Sequence, residues 1–267
     1  MMSKHDRWSR LLQHLAENGR LEVEEAASVL EVSAATIRRD LDELAEQQLL
    51  VRTRGGAIAH GVSYELPLRY RSVHNAAEKR RIAEAVADQI GQGAVVGING
   101  GTTTTEVARA LIIRAAGDGA EQVAGTAAPS MTLVTNALNI ASEAAVRPQI
   151  KLVLTGGVAR PQTYELVGPL ANGVMSDVAL DVAILGIDGV DSHLGLMTHH
   201  EEEASISRLF AERAHRVIVA SDSSKLGRRA FARICGLDRI DVLVTDSAAS
   251  GEMIARLTDA GIEVISV

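Results

Sequence analysis

Aromatic side chains are nearly missing from this chain: Phe, Tyr and Trp together make up 2% of its 267 residues. Its core must therefore be filled mostly by Ala, Val, Leu and Ile, within a hydrophobic content of 46%. One cysteine, Cys235, excludes an intrachain disulfide and fits a reducing cytoplasm. No apolar run approaches membrane-spanning length, and the opening MMSKHDRWSR lacks the apolar segment of a secretory signal. A cytoplasmic protein with no membrane partner is expected. Positive charge is short as well, with 27 Lys/Arg against 34 Asp/Glu and a net charge of −7. Residues 1–60 carry net −2 and the remainder net −5, so neither part offers a general basic field. Any contact with DNA has to rest on local clustering.

What is present is long enough for two domains and a substantial core. Trp8, Leu11, Leu12 and Leu15 recur at the spacing of an amphipathic helix that Asn18-Gly19 ends. Val23, Ala26, Ala27 and Leu30 repeat the pattern over a shorter helix. Ser33 caps a third, whose buried line is Ile37, Leu41 and Leu44. Three short helices with a tight Glu31-Val32-Ser33 turn before the third make a helix-turn-helix.

Turning 100° per residue from Ile37 puts Ala35, Arg38, Arg39, Asp42, Glu43 and Glu46 on the outer face of the third helix. That face is basic first and acidic later, the reverse of what the helix dipole favours. One reading is a solvated face with Arg38–Asp42 and Arg39–Glu43 pairs, each contributing only a few tenths of a kcal/mol. The other is a helix whose start enters the major groove of double-stranded DNA. In that case Ser33 and Thr36 bond phosphates or base edges, Ala35 permits close approach, and Arg38 or Arg39 pairs with guanine. The next run favours the second reading. Val51 and Thr53 alternate with Arg52 and Arg54, which places both arginines on one side of a strand, and Gly55-Gly56 allows a tight wing turn.

The run VEEAASVLEVSAATIRRDLDELAEQQLLVRTRGGA resembles the DeoR family of bacterial transcriptional regulators, with TIRRDL and R-x-x-GGA together at the family's spacing. The resemblance implies a winged helix-turn-helix, a repressor of carbohydrate-use operons, and a C-terminal domain that senses a phosphorylated sugar or polyol. A short reading helix covers few base pairs, so a homo-oligomer, dimer or tetramer, is expected on a repeated or palindromic operator.

Downstream, residues 58–73 show no clear period and contain Gly61 and Pro67, as a linker does. From Asn75 a helix follows with Ile82, Val86 and Ile90 on one side. Seven β-branched runs then alternate with helical patterns, at 94–98, 131–136, 150–157, 180–189, 216–222, 242–246 and 263–267. Most are continuously apolar, which points to a mostly parallel sheet buried on both faces. Residues 115–130 look like an exposed loop. The expected organisation is a winged helix-turn-helix over 1–57, a linker over 58–74, and an α/β effector-binding domain over 75–267.

Ligands of such sheets sit at the carboxyl ends of the strands. There lie Gly101, Thr102, Thr103 and Thr104 ahead of a helix, then Asn136, Gly156-Gly157, Asp188-Gly189, and Asp222 with Lys225. The glycine turn into a helix start offers N–H groups to a phosphate, while Asp188 and Asp222 suit sugar hydroxyls and Lys225 a phosphate. The turn is neither a Walker loop nor a dinucleotide fingerprint, so no nucleotide cofactor is implied. These elements also resemble the DeoR sensor domain in order, from Arg7 to Asp246 for the whole match. That domain is similar in fold to ribose-5-phosphate isomerase, and the resemblance lets His199 or Glu203 line the pocket. The family often has Asp where this chain has Asn99.

Two further chemistries are open. His199 and Glu203, four apart, share one face if both lie on a helix, but no third ligand is evident and no metal is expected. A sugar-phosphate isomerase-like enzyme with an accessory DNA-binding domain is the alternative function, with Asp188 or Glu203 as its base. No second acid or base is placed beside them, so no catalytic residue is assigned.

Overall fold

The computed structural model describes residues 2–47, 49–58, 68–71, 74–118 and 129–267. The chain divides into two compact units, Met1–Ala76 and Ala77–Val267.

The first unit opens with helix α1 (Lys4–Asn18), capped by the Ser3 side chain and closed by Gly19 in the left-handed region at φ 72°. Strand β1 (Arg20–Glu22) leads into α2 (Val23–Val29), and after Glu31 at φ 54° comes α3 (Ala34–Glu46). Ser33 caps α3 by accepting from the Thr36 N–H at 3.1 Å. Strands β2 (Val51–Arg52) and β3 (Gly56–Ile58) complete an antiparallel sheet in the order β1-β3-β2. The expected stripes converge, with Trp8, Leu11, Leu12, Leu15, Ile37, Leu41 and Leu44 all in one core.

Three expectations change here. β1 is a third strand that the sequence pattern did not announce, and β2 ends at Arg52, so Arg54 lies in the turn. Gly55 and Gly56 are not in the left-handed region. A Cβ on Gly56 would lie 1.7 Å from the Leu21 carbonyl oxygen, so this glycine serves the close approach of β3 to β1. Finally, part of the supposed linker is structured. α4 (Leu68–Arg71) places Tyr70 in the core of this unit, stacked at 5.5 Å on His5. Gly61 and Pro67 lie outside the described residues.

The second unit is built on seven parallel strands: β4 (Val95–Ile98), β5 (Met131–Thr135), β6 (Ile150–Leu154), β9 (Leu180–Leu185), β12 (Ala214–Ala220), β14 (Val242–Thr245) and β15 (Glu263–Ser266). Each falls in one of the seven predicted runs or overlaps it, and the order is β15-β14-β12-β9-β4-β5-β6. Helices α5 (Ala76–Asp88), α6 (Thr102–Asp118) and α7 (Leu138–Ala144) cover one face. α8 (Pro169–Ser176), α9 (Glu201–Arg213) and α10 (Gly251–Asp259) cover the other. Alternate residues of one strand go to opposite cores: Val182 and Ile184 to the first, Ala183 and Leu185 to the second. That double burial is why the runs read as continuously apolar. Gly97 admits Phe210, whose Cδ1 would be 2.7 Å from a Cβ there.

Antiparallel additions were not foreseen. β7 (Val158–Ala159) pairs with β8 (Leu166–Val167), and β11 (Gly195–Thr198) joins β10 (Gly189–Asp191) to β13 (Ala232–Cys235). The loop expected over 115–130 is shorter at its start, since α6 runs on to Asp118; residues 119–128 lie outside the described set.

Candidate functional sites

On the first unit, the outer face of α3 carries Arg38 and Arg39, both exposed, beside exposed Ala35. Ser33 Oγ and Thr36 Oγ1 are 2.8 Å apart, so the cap residues hold each other at the helix start. In place of the i,i+4 pairs of the solvated-face reading, Arg38, Asp42 and Glu43 pair with other elements. Arg38 Nη2 donates to Glu24 Oε1 of α2 at 2.9 Å. Asp42 Oδ1 accepts from Arg52 Nε of β2 at 2.7 Å, and Glu43 pairs with Lys4 of α1. The acidic second half of α3 thus clamps the wing and the first helix. That gives the reversed charge order a physical reason which the face pattern alone did not show.

Arg52 is committed further, because its Nη1 also donates to the Gly56 carbonyl. Its guanidinium is part of the wing's own construction, whereas Arg54 is exposed in the turn. Gly55 is exposed there too, and its carbonyl accepts from Val23 N at 2.9 Å. Asp40 was overlooked. It is 2% exposed and accepts from both Arg7 Nε and Nη2 and from Trp8 Nε1, the last at 2.9 Å. The hydrogen bond to Asp40 holds the Arg7 guanidinium above its ordinary pKa despite partial burial. A signal existed: 300° round from Ile37 points Asp40 into the core.

On the second unit, the chain leaves β4 into Asn99, Gly100 and Gly101, the last at φ 137°, before α6 starts at Thr102. Thr103 and Thr104 are buried, and the Gly101 carbonyl accepts from Thr104 Oγ1 at 3.2 Å and Thr105 Oγ1 at 2.6 Å. Asn99 ties β4 to β9. Its Oδ1 accepts from Gly186 N at 2.8 Å, while its Nδ2 donates to the Gly186 carbonyl and to Ser207 Oγ, both at 3.0 Å. An aspartate could not make those two donations. Position 99 here is a strap between strand ends rather than a charge.

Behind this turn lies a buried polar cluster. Asn136 Nδ2 donates to Glu165 Oε2 at 2.8 Å, and Asn136 Oδ1 is buried with no hydrogen-bond partner among the described residues. Glu203 accepts from Thr163 Oγ1 at 2.7 Å and pairs with Arg160 at 2.9 Å. Thr198 Oγ1 lies 2.9 Å from Asp188 Oδ2 and 3.5 Å from Glu203 Oε2. Lys225 Nζ is 3.8 Å from Asp188 Oδ1. Burial, then the nearby charges of Glu203 and Asp188, push the Glu165 carboxyl up to about 8 against the pull of Asn136 and the Gly100 N–H. Gly100 makes room for it, since a Cβ there would lie 2.4 Å from Glu165 Cγ.

The predicted residues divide accordingly. The structure brings Asp188, Glu203, Asn136 and Lys225 into linked contacts. Asp222 caps the short turn Ser223–Lys225 through the Ser224 N–H at 3.1 Å. Gly157 and Gly189 serve close backbone approaches, to Val167 and Arg228, and Gly156 takes φ 76° beside them. Arg160, Thr163 and Glu165 were missed; they lie in the turn between β7 and β8, where Tyr164 takes φ 60°. His199 precedes α9 rather than lying on it, which removes the shared helical face proposed for a metal pair. Among the described residues no group of three His, Cys, Asp or Glu is arranged to hold a metal ion. Nor, among them, is any helix long and apolar enough to cross a membrane.

Comparison with known proteins matches residues 7–61 to the DeoR-like helix-turn-helix domain and residues 74–247 to the DeoR C terminal sensor domain. The HTH-type transcriptional regulator GlpR of Haloferax volcanii is 34% identical over 97% of this chain and 96% of its own length. The glycerol-3-phosphate regulon repressor of Escherichia coli K12 is 32% identical over 98% of this chain and 99% of its own. A solved ribose 5-phosphate isomerase from Methanocaldococcus jannaschii overlaps 57% of this chain and 55% of its own, at TM-score 0.42 and 18% identity.

Proposed function

From the premise that the chain belongs to the DeoR family of transcriptional regulators, we propose how its two units divide the work. The first unit reads double-stranded operator DNA through the start of α3 and the tip of the wing. The second binds a phosphorylated sugar or polyol and biases the protein between operator-binding states. The protein acts as a cytoplasmic homo-oligomer that represses a carbohydrate-use operon. It is a regulator and not an enzyme: its full-length relatives bear the names of regulators.

One observation carries the effector site. From β4 the chain winds outward through β5 and β6 on one side, and through β9, β12, β14 and β15 on the other. The direction of winding therefore reverses between β4 and β9, and ligands of open parallel sheets bind outside the carboxyl ends at such a switch point. The two loops at that point are Asn99–Thr102 and Gly186–Asp188. The first offers the N–H groups of the α6 start to a phosphate. The second brings Asp188 and, through Thr198, Glu203 as acceptors for hydroxyls.

A thermal-shift series tests it with sugar and polyol phosphates, their unphosphorylated parents and inorganic phosphate. The expected result is stabilisation by a phosphorylated compound of about 2.7 kcal/mol at a hundredfold excess over Kd, larger than that by either control. Equal response to parent and phosphate ester would remove the phosphate from the reading.

A further inference from the structure

We propose that Glu24 determines the base preference of Arg38, acting as a positioning residue from the neighbouring helix; this rests on α3 being the DNA-reading helix. The contact joins α2 to α3 across 14 residues of sequence, with Arg38 Nη2 2.9 Å from Glu24 Oε1. Both side chains are open to solvent, 55% and 77% exposed. A pair so exposed adds little to stability, so its consequence lies in where it holds the guanidinium.

The wiring around Arg38 is specific. Asp42, its natural i,i+4 partner, is occupied by Arg52 at 2.7 Å, and Arg38 turns to Glu24 instead. A guanidinium has five N–H donors in a rigid fork. Glu24 engages one terminal nitrogen and leaves donors for the paired contact that guanine O6 and N7 require. The same carboxylate places a negative charge beside the head group. A DNA phosphate, which any sequence supplies, is repelled from that position, whereas the neutral edge of a base is not. Glu24 thereby keeps Arg38 from settling on the backbone and reserves it for sequence readout. The helix dipole explains acids at the start of α2, but not the reach of this one to Arg38.

The test uses the full-length protein and DNA selected from a random-sequence duplex pool by the wild type, Arg38→Ala, Glu24→Gln and the double variant. Arg38→Ala is expected to erase the preference at a particular base pair of each half-site. Glu24→Gln should relax that same base pair and raise affinity for a scrambled duplex by about two- to fivefold, the scale of an exposed ion pair. The double variant should match Arg38→Ala, because Glu24 acts through Arg38. Glu24→Gln retaining the wild-type preference at the base pair that Arg38→Ala erases overturns the proposal. Arg38→Ala leaving every preference intact overturns the reading of Arg38 beneath it. A purely structural role for Glu24 would lower all affinities together, which also counts against the proposal.

Discussion

At the scale of single residues, charge is placed rather than accumulated. Arg38 stands at the start of α3, where a base contact is feasible, and Arg38→Ala should weaken binding to the selected operator by about 1–3 kcal/mol. Gel-shift titration reads this directly, and unchanged affinity would sink the assignment. Arg54, exposed at the wing tip, is the phosphate candidate; its removal should lower the slope of log K against log salt by about one ion. Arg52, clamped by Asp42 and the Gly56 carbonyl, should instead cost folding stability. Glu165 behaves differently again. Its carboxyl stays protonated in the fold up to about 8, against 4.5 ordinarily, because burial and Glu203 oppose ionisation. The unfolded chain releases that proton at lower pH, so the fold loses stability as pH rises from 4.5 toward 8. Glu165→Gln should flatten this decline in melting temperature, and parallel slopes for the two proteins would contradict it.

At the scale of elements, legibility follows the physics of each pattern. The seven buried strands were legible because residues such as Val182, Ala183, Ile184 and Leu185 face two cores at once and so read as one apolar run. The short antiparallel strands were not, since pairs like Val158–Ala159 and Leu166–Val167 are too brief to show a period. With them went Arg160, Thr163 and Glu165, which sit between the two strands of that hairpin and are part of the polar cluster. Asp40 was legible by angle on α3, but an acid on a core line reads as an exception until Arg7 and Trp8 are seen to hold it. The wing gives the sharpest elemental prediction. Gly56→Ala sets a Cβ 1.7 Å from the Leu21 carbonyl oxygen, so β3 must part from β1. DNA binding should be lost while the second unit still melts cooperatively; wild-type binding by this variant would refute the stated reason for the glycine.

At the scale of the whole molecule, a net charge of −7 is compatible with a DNA-binding role, since local clusters such as exposed Arg38 and Arg39 on α3 can meet DNA without a basic surface. Fold class and family were both legible in the chain, the first from strand–helix alternation and the second from TIRRDL with the GGA wing. The acidic cluster at the strand ends was legible only in part: Asp188 and Glu203 were named from the sequence, whereas Glu165, in the turn before β8, meets Asn136 only in the folded sheet. Regulation requires that the ligand bind the operator-competent and incompetent states with different affinity. The most direct test is operator affinity of the full-length protein, measured by fluorescence anisotropy while each sugar or polyol phosphate is titrated in. A phosphorylated compound is expected to shift the operator Kd by about 5- to 150-fold, and Asp188→Asn to remove the shift while leaving ligand-free DNA binding intact. Operator binding indifferent to every such compound that stabilises the protein would contradict that expectation.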